Sequence, residues 1–62
     1  MKRNVLLKHL KENGCMLSRE GSNHSWYINT INGKRAPVPR HPDVSEITVM
    51  KICKQLDIPK IK

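Results

Sequence analysis

Residues 21–38 read Gly21-Ser22-Asn23-His24-Ser25-Trp26-Tyr27-Ile28-Asn29-Thr30-Ile31-Asn32-Gly33-Lys34-Arg35-Ala36-Pro37-Val38. Gly21-Ser22-Asn23 is a cluster of turn formers, and the stretch from His24 to Thr30 is rich in β-branched and aromatic types, the mark of a strand. Asn32-Gly33 is the dipeptide favoured in two-residue hairpins, since both positions tolerate positive φ. Lys34 to Val38 then returns as the next strand. Pro37 and Pro39 lack the N–H that a central strand donates, which predicts a short strand at a sheet edge.

Working outward, Cys15-Met16-Leu17-Ser18-Arg19-Glu20 is too short for a helix and lies between two stops, so it reads as a first strand. Before it, Leu6, Leu7 and Leu10 recur at helical steps with Lys8 and Lys11 between them, which predicts an amphipathic helix over residues 2–13. Asn13-Gly14 ends it, glycine accepting the left-handed cap without steric cost. After the hairpin, Arg40-His41-Pro42-Asp43 is a loop. Asp43 or Ser45 can cap the next helix, and Asp43 with Glu46 has capping-box spacing. Val49, Ile52, Cys53 and Leu56 fall at i, i+3, i+4 and i+7, the cleanest periodic signal in the chain, and Pro59 stops that helix. The expected fold is α+β in the order α-β-β-β-α: a three-stranded antiparallel meander, two helices on one face, the other face free to meet a ligand.

The chain has 62 residues, 37% of them apolar. One domain over residues 1–62 is expected, because a chain this short buries only about 60% of its unfolded surface. Deep pockets, and with them most cofactor-carrying enzymes, are excluded on size. Twelve Lys and Arg oppose five Asp and Glu, a net charge of +7, and the pI of about 9.9 exceeds the level of ~9 that marks nucleic-acid binding domains. No apolar run exceeds three residues, so no membrane span or signal peptide is expected. Cys15 and Cys53 read as reduced, buried small hydrophobes of a cytoplasmic protein. Together with His24 and His41 they show no zinc-ligand spacing, and no metal or cofactor is expected.

Three histidines are candidates for chemistry. His9 lies on the flank of the first helix. His24 follows a run of small residues that lets another backbone, such as a phosphodiester chain, come close. A histidine can hold or release a proton near neutrality, which suits it to general acid–base work. His41, in a rigid basic loop, can contact phosphate, donate a proton or simply hold the loop. Lys34, Arg35 and Arg40, with Arg19, form a candidate phosphate-binding band beside His24. Strand alternation puts His24, Trp26 and Ile28 on one face and Ser25, Tyr27 and Asn29 on the other. In so small a protein the core is the expected place for Trp26, which carries His24 to the core side unless a bulge re-aims it. If Tyr27 is core instead, Trp26 is exposed and able to stack on a base.

The succession Gly21-Ser22-Asn23-His24, Asn32-Gly33, Val38-Pro39-Arg40-His41 and Ile52-Cys53-Lys54-Gln55-Leu56 resembles the HicA toxin family, also called YcfA-like. The resemblance extends over nearly the whole chain, including the opening helix that ends in Asn13-Gly14. It implies a double-stranded-RNA-binding-domain-like fold and an mRNA interferase, a small endoribonuclease that cleaves mRNA and stops translation. It also implies a HicB-like antitoxin that masks the toxin's site. The family's catalytic histidine falls on His24 and its glycine on Gly21, with Ser22, Asn23, Lys34, Arg35, Arg40 and His41 as candidate substrate contacts. Asn23 is a variant associated with active members, and Asp57 stands where relatives often carry Gly. The competing expectation is a non-catalytic RNA-binding module of the double-stranded type. Such modules place lysines at the start of the last helix, where this chain has Val44-Ser45-Glu46-Ile47.

Overall fold

Turn formers at Asn13-Gly14 and Gly21-Ser22-Asn23, and prolines flanking the last helix, cut the chain into five pieces. A computed structural model describes residues 1–61. The order is α1 (Arg3–Glu12), β1 (Cys15–Glu20), β2 (His24–Asn29), β3 (Arg35–Pro39) and α2 (Glu46–Leu56). The strands form one antiparallel meander, β1-β2-β3, as the sequence predicts.

Both helices cover the same face of the sheet. Leu6 and Leu10 from α1 join Val49, Ile52, Cys53 and Leu56 from α2, and meet Cys15, Ala36 and Val38 from the strands in one buried core. The periodic residues of α2 are thus its buried face. Both cysteines are free and buried, and burial pushes both thiols above their ordinary pKa.

Local chemistry explains the ends of the elements. Gly14 takes φ +80 just after α1, the left-handed cap that only glycine adopts freely. At α2 the structure chooses Ser45 as N-cap, whose hydroxyl accepts from Thr48 N at 3.2 Å. The Asp43–Glu46 box does not form, because Asp43 pairs with Lys2 in an isolated bridge. Around that bridge Val44 N donates to Met1 O (2.7 Å) and Arg3 N to Pro42 O (2.8 Å), which ties the loop carrying His41 to the start of α1.

The hairpin departs from expectation. Strand β2 ends at Asn29 and β3 starts at Arg35, so residues 30–34 form a longer connection. Only Gly33 has positive φ there, at +76. Tertiary contacts decide this. Asn29 and Asn32 both donate their side-chain amides to Leu56 O, at 2.8 and 3.2 Å, satisfying a carbonyl that the end of α2 leaves open. A tight two-residue turn puts Asn32 in the turn itself, whereas the longer loop lets it reach the helix end.

The expectation that Trp26 is core is corrected. Ser25 and Asn29 are buried and Tyr27 packs against the core, so their alternation sends His24, Trp26 and Ile28 to the uncovered face. Two small polar residues occupy inward positions because both find partners: Ser25 bonds Glu20 and Arg3, and Asn29 bonds Leu56. No buried side-chain polar atom among the described residues lacks a hydrogen bond.

Asp57 ends α2 in the left-handed conformation, φ 55 and ψ 52. Ile58 N bonds Cys53 O at 3.0 Å and Asp57 N bonds Lys54 O at 3.1 Å, the paired bonds of a Schellman cap. A non-glycine residue there is strained by ~1 kcal/mol or more. The compensating Lys34–Asp57 ion pair, 3.8 Å apart and exposed on both sides, is worth ~0–1 kcal/mol at most. Asp57→Gly is therefore expected to raise the thermal midpoint by roughly 4 °C in a melt followed by circular dichroism. A lowered midpoint would assign the ion pair the larger share.

Candidate active site

The uncovered face of the sheet is built from three short rows. Strand β2 supplies His24, Trp26 and Ile28, which pair with Pro39, Pro37 and Arg35 of β3. On the other side, Ile28 pairs with Met16 and Trp26 with Arg19 of β1. Simple alternation from buried Cys15 sends Arg19 toward the helices. The register shift between Leu17 and Arg19 adds one residue and turns Arg19 to the open side, the usual effect of a bulge.

His24 opens β2 and is exposed. The turn before it is held closely. Gly21 N donates to His24 O at 2.8 Å. The Arg40 guanidinium donates to Ser22 O at 3.1 Å, to His24 O at 3.2 Å and also to Gly21 O. It also pairs with Glu20 at 3.0 Å. Arg40 is therefore committed to carbonyls of the turn and to a carboxylate, and it fixes the backbone at His24.

Gly21 is needed for space and not for a positive φ. A Cβ there would lie 3.0 Å from His24 O and 3.1 Å from the indole nitrogen of Trp26. Its lack of a side chain admits the chain's own ring and carbonyl.

A hydrogen-bond chain supports this corner from below. Arg3 donates to Pro39 O (2.7 Å) and to the Ser25 hydroxyl (3.0 Å), and Ser25 donates to Glu20 (2.6 Å). Glu20 then takes Arg40. The Ser25 hydroxyl, and after it Arg40, hold the Glu20 carboxyl below its ordinary pKa. Start of α1, end of β1, start of β2 and end of β3 are thereby joined around one histidine. Sequence reading missed Arg3, Glu20 and Ser25. The available signal was Ser25, a small polar residue among larger ones in a strand, whose inward placement demands a partner.

The predicted cationic band does not assemble as one group. His24 lies opposite Pro39, whereas Arg35 lies opposite Ile28, four residues or about 13 Å further along the sheet. Lys34 is further still and faces Asp57. Arg19, two residues from His24 along the open face by its pairing with Trp26, is nearer than either. Ser22, Asn23 and His41 are exposed, and His41 follows Arg40 directly, just beyond the β3 end that pairs with His24. His9 serves the fold: its Nε2 donates to Pro59 O at 2.6 Å and holds the chain after α2 against α1.

Among the described residues no three His, Cys, Asp or Glu side chains gather as a metal site, and no helix is long and apolar enough to cross a membrane. The first turn of α2 carries Glu46 and an exposed Ile47, which gives a phosphate backbone no cation to meet.

The model of the family described as "HicA toxin of bacterial toxin-antitoxin" covers residues 4–58. No curated protein and no solved structure matches the chain.

Proposed function

The chain belongs to the HicA toxin family, and from that premise we propose that it is an mRNA-cleaving endoribonuclease in which His24 moves the proton. Membership makes it the toxin of a toxin–antitoxin pair and implies an antitoxin partner. Toxins of the family are RNA-cleaving. The finer reading, a HicB-like antitoxin and mRNA as substrate in the cytoplasm, follows the same family likeness.

One observation carries the catalytic part. The imidazole of His24 stands exposed on the sheet face that no helix covers, while its backbone is clamped by Gly21 and Arg40. A fixed backbone under an accessible ring is what positioned proton transfer requires.

The 2′-hydroxyl of the RNA gives its proton to the His24 ring and its oxygen bonds to the adjacent phosphorus. The bond from phosphorus to the 5′-oxygen breaks, and that oxygen takes a proton from His24. Products are a 2′,3′-cyclic phosphate and a 5′-hydroxyl. Negative charge grows on the non-bridging oxygens, where a guanidinium is stabilising; Arg19 is the cation best placed on this face. Arg40 holds the turn, and Arg35 and Lys34 lie where a longer strand of RNA would pass.

The test is a cleavage assay on single-stranded RNA in excess EDTA. Undiminished cleavage is expected, because only side chains of this chain are used. Loss of cleavage in EDTA, restored by a divalent cation, would overturn the reading. Tight duplex binding without any cleavage would favour a non-catalytic RNA-binding module.

A further inference from the structure

The uncovered face carries a second feature beside the histidine. Trp26 is the only tryptophan of the chain. It lies half-buried on the open side of β2, and the Arg19 guanidinium carbon is 6.0 Å from its ring centroid, the outer reach of a cation–π contact. Its pyrrole edge rests on Gly21, where any Cβ would come within 3.2 Å of ring carbon Cδ1. Pro37 flanks it across β3. The ring is thus seated along its pyrrole edge, and it stands two residues, about 7 Å, from His24 on the same face. That spacing is close to one nucleotide step along an extended RNA strand.

A large aromatic left half-buried on an uncovered sheet face forgoes part of the apolar burial that a core position would give it. The fold nonetheless places Ser25 and Asn29 inward and Trp26 outward, and the bulge in β1 brings a cation to it. An aromatic ring next to a guanidinium is the pair that holds an unpaired base and its phosphate.

We propose that Arg19 and Trp26 form a nucleobase subsite: Trp26 stacks on the base next to the scissile phosphate, and Arg19 leaves the ring to contact phosphate. This rests on the ribonuclease reading and adds what the substrate must present there, one unstacked base. It makes the enzyme a reader of single-stranded RNA at that position, by stacking and not by base-edge hydrogen bonds.

The single tryptophan gives the readout. The His24→Gln protein, whose cleavage is expected to be about 10²–10⁴-fold slower, is titrated with an eight-nucleotide single-stranded RNA, with the same RNA carrying one abasic position at its centre, and with its duplex. Tryptophan emission is expected to be quenched by the first and far less by the other two. Trp26→Leu in the same background is expected to weaken single-strand binding by about tenfold or more, the usual worth of one stacked base. Trp26→Phe keeps most of the affinity, and Arg19→Gln weakens it while leaving the tryptophan in place. Saturable RNA binding with unmoved emission, or equal affinity for intact and abasic RNA, would overturn the subsite even where wild-type protein still cleaves. Absence of both RNA binding and wild-type cleavage would instead overturn the ribonuclease reading beneath it. If Trp26→Leu does not fold, the emission change and the Arg19→Gln affinity decide.

Discussion

His24→Gln is expected to lower RNA cleavage by about 10²–10⁴-fold, the range that a positioned general acid–base supplies, while the thermal midpoint stays within about 4 °C of the wild type. The two halves of this expectation have separate causes. The ring is exposed on the open face, so replacing it removes no core contact, and surface changes of this kind stay within ±0.5 kcal/mol. The bonds that fix the corner use the His24 carbonyl, which accepts from Gly21 and Arg40, and glutamine keeps that carbonyl. RNA affinity should stay close to the wild type, because Arg19, Trp26 and Arg35 remain. A variant that cleaves normally would remove His24 from the chemistry. One that cleaves poorly and also melts early would make the histidine a structural residue.

Leu56→Ala is expected to cost about 2–5 kcal/mol, the range for a fully buried leucine, and to lower the midpoint by 10 °C or more on the scale of ~4–8 °C per kcal/mol for a domain this small. Leu56 is 0% exposed in the core. Its carbonyl receives the amides of Asn29 and Asn32, so the side chain packs the helix at the point where the hairpin is tied to it. A domain of this length has only ~5 kcal/mol to lose, and the variant is expected to be partly unfolded at 37 °C. Urea titration followed by circular dichroism measures the change in midpoint at constant slope. A cost below about 1 kcal/mol would contradict the packing described. Leu56→Met, close in volume, should retain most of the stability.

How much of this was legible in the residues differs from element to element. The periodicity of Val49, Ile52, Cys53 and Leu56 gave α2 and its buried face, because in an amphipathic helix the spacing is itself the cause of burial. Prolines 37 and 39 placed β3 at an edge for an equally local reason, the missing N–H. The hairpin was misread because Asn29 and Asn32 answer to Leu56, far away in sequence, and no dipeptide rule contains that carbonyl. Alternation divides β2 into two faces without saying which turns inward, and size alone pointed to Trp26 as the core residue. Ala36 and Val38 in the neighbouring strand are the small apolar residues that face the helices, and the inward face of β2 follows once the two strands are paired. The cationic band is divided for a geometric reason: charges close in sequence along β3 are spread along the sheet, and Arg19 reaches the open face through a bulge that no pattern in residues 15–20 announces. Arg40 was read as a phosphate ligand because its charge was visible and the turn carbonyls that occupy it were not. The position of His24 beside a glycine turn was legible from residues 21–24, and the structure adds why the glycine is there: the Trp26 ring needs its space.

The end group of the cut RNA tests the chemistry most directly. Wild-type protein and the His24→Gln variant are given the same single-stranded RNA in EDTA, and the 3′ ends of the upstream fragments are identified by mass spectrometry. Transfer to the RNA's own 2′-oxygen, driven by the His24 imidazole, predicts 2′,3′-cyclic phosphate ends from the wild type and almost none from the variant. Fragments ending in a 3′-hydroxyl, or cyclic phosphates formed equally fast by the variant, would contradict it.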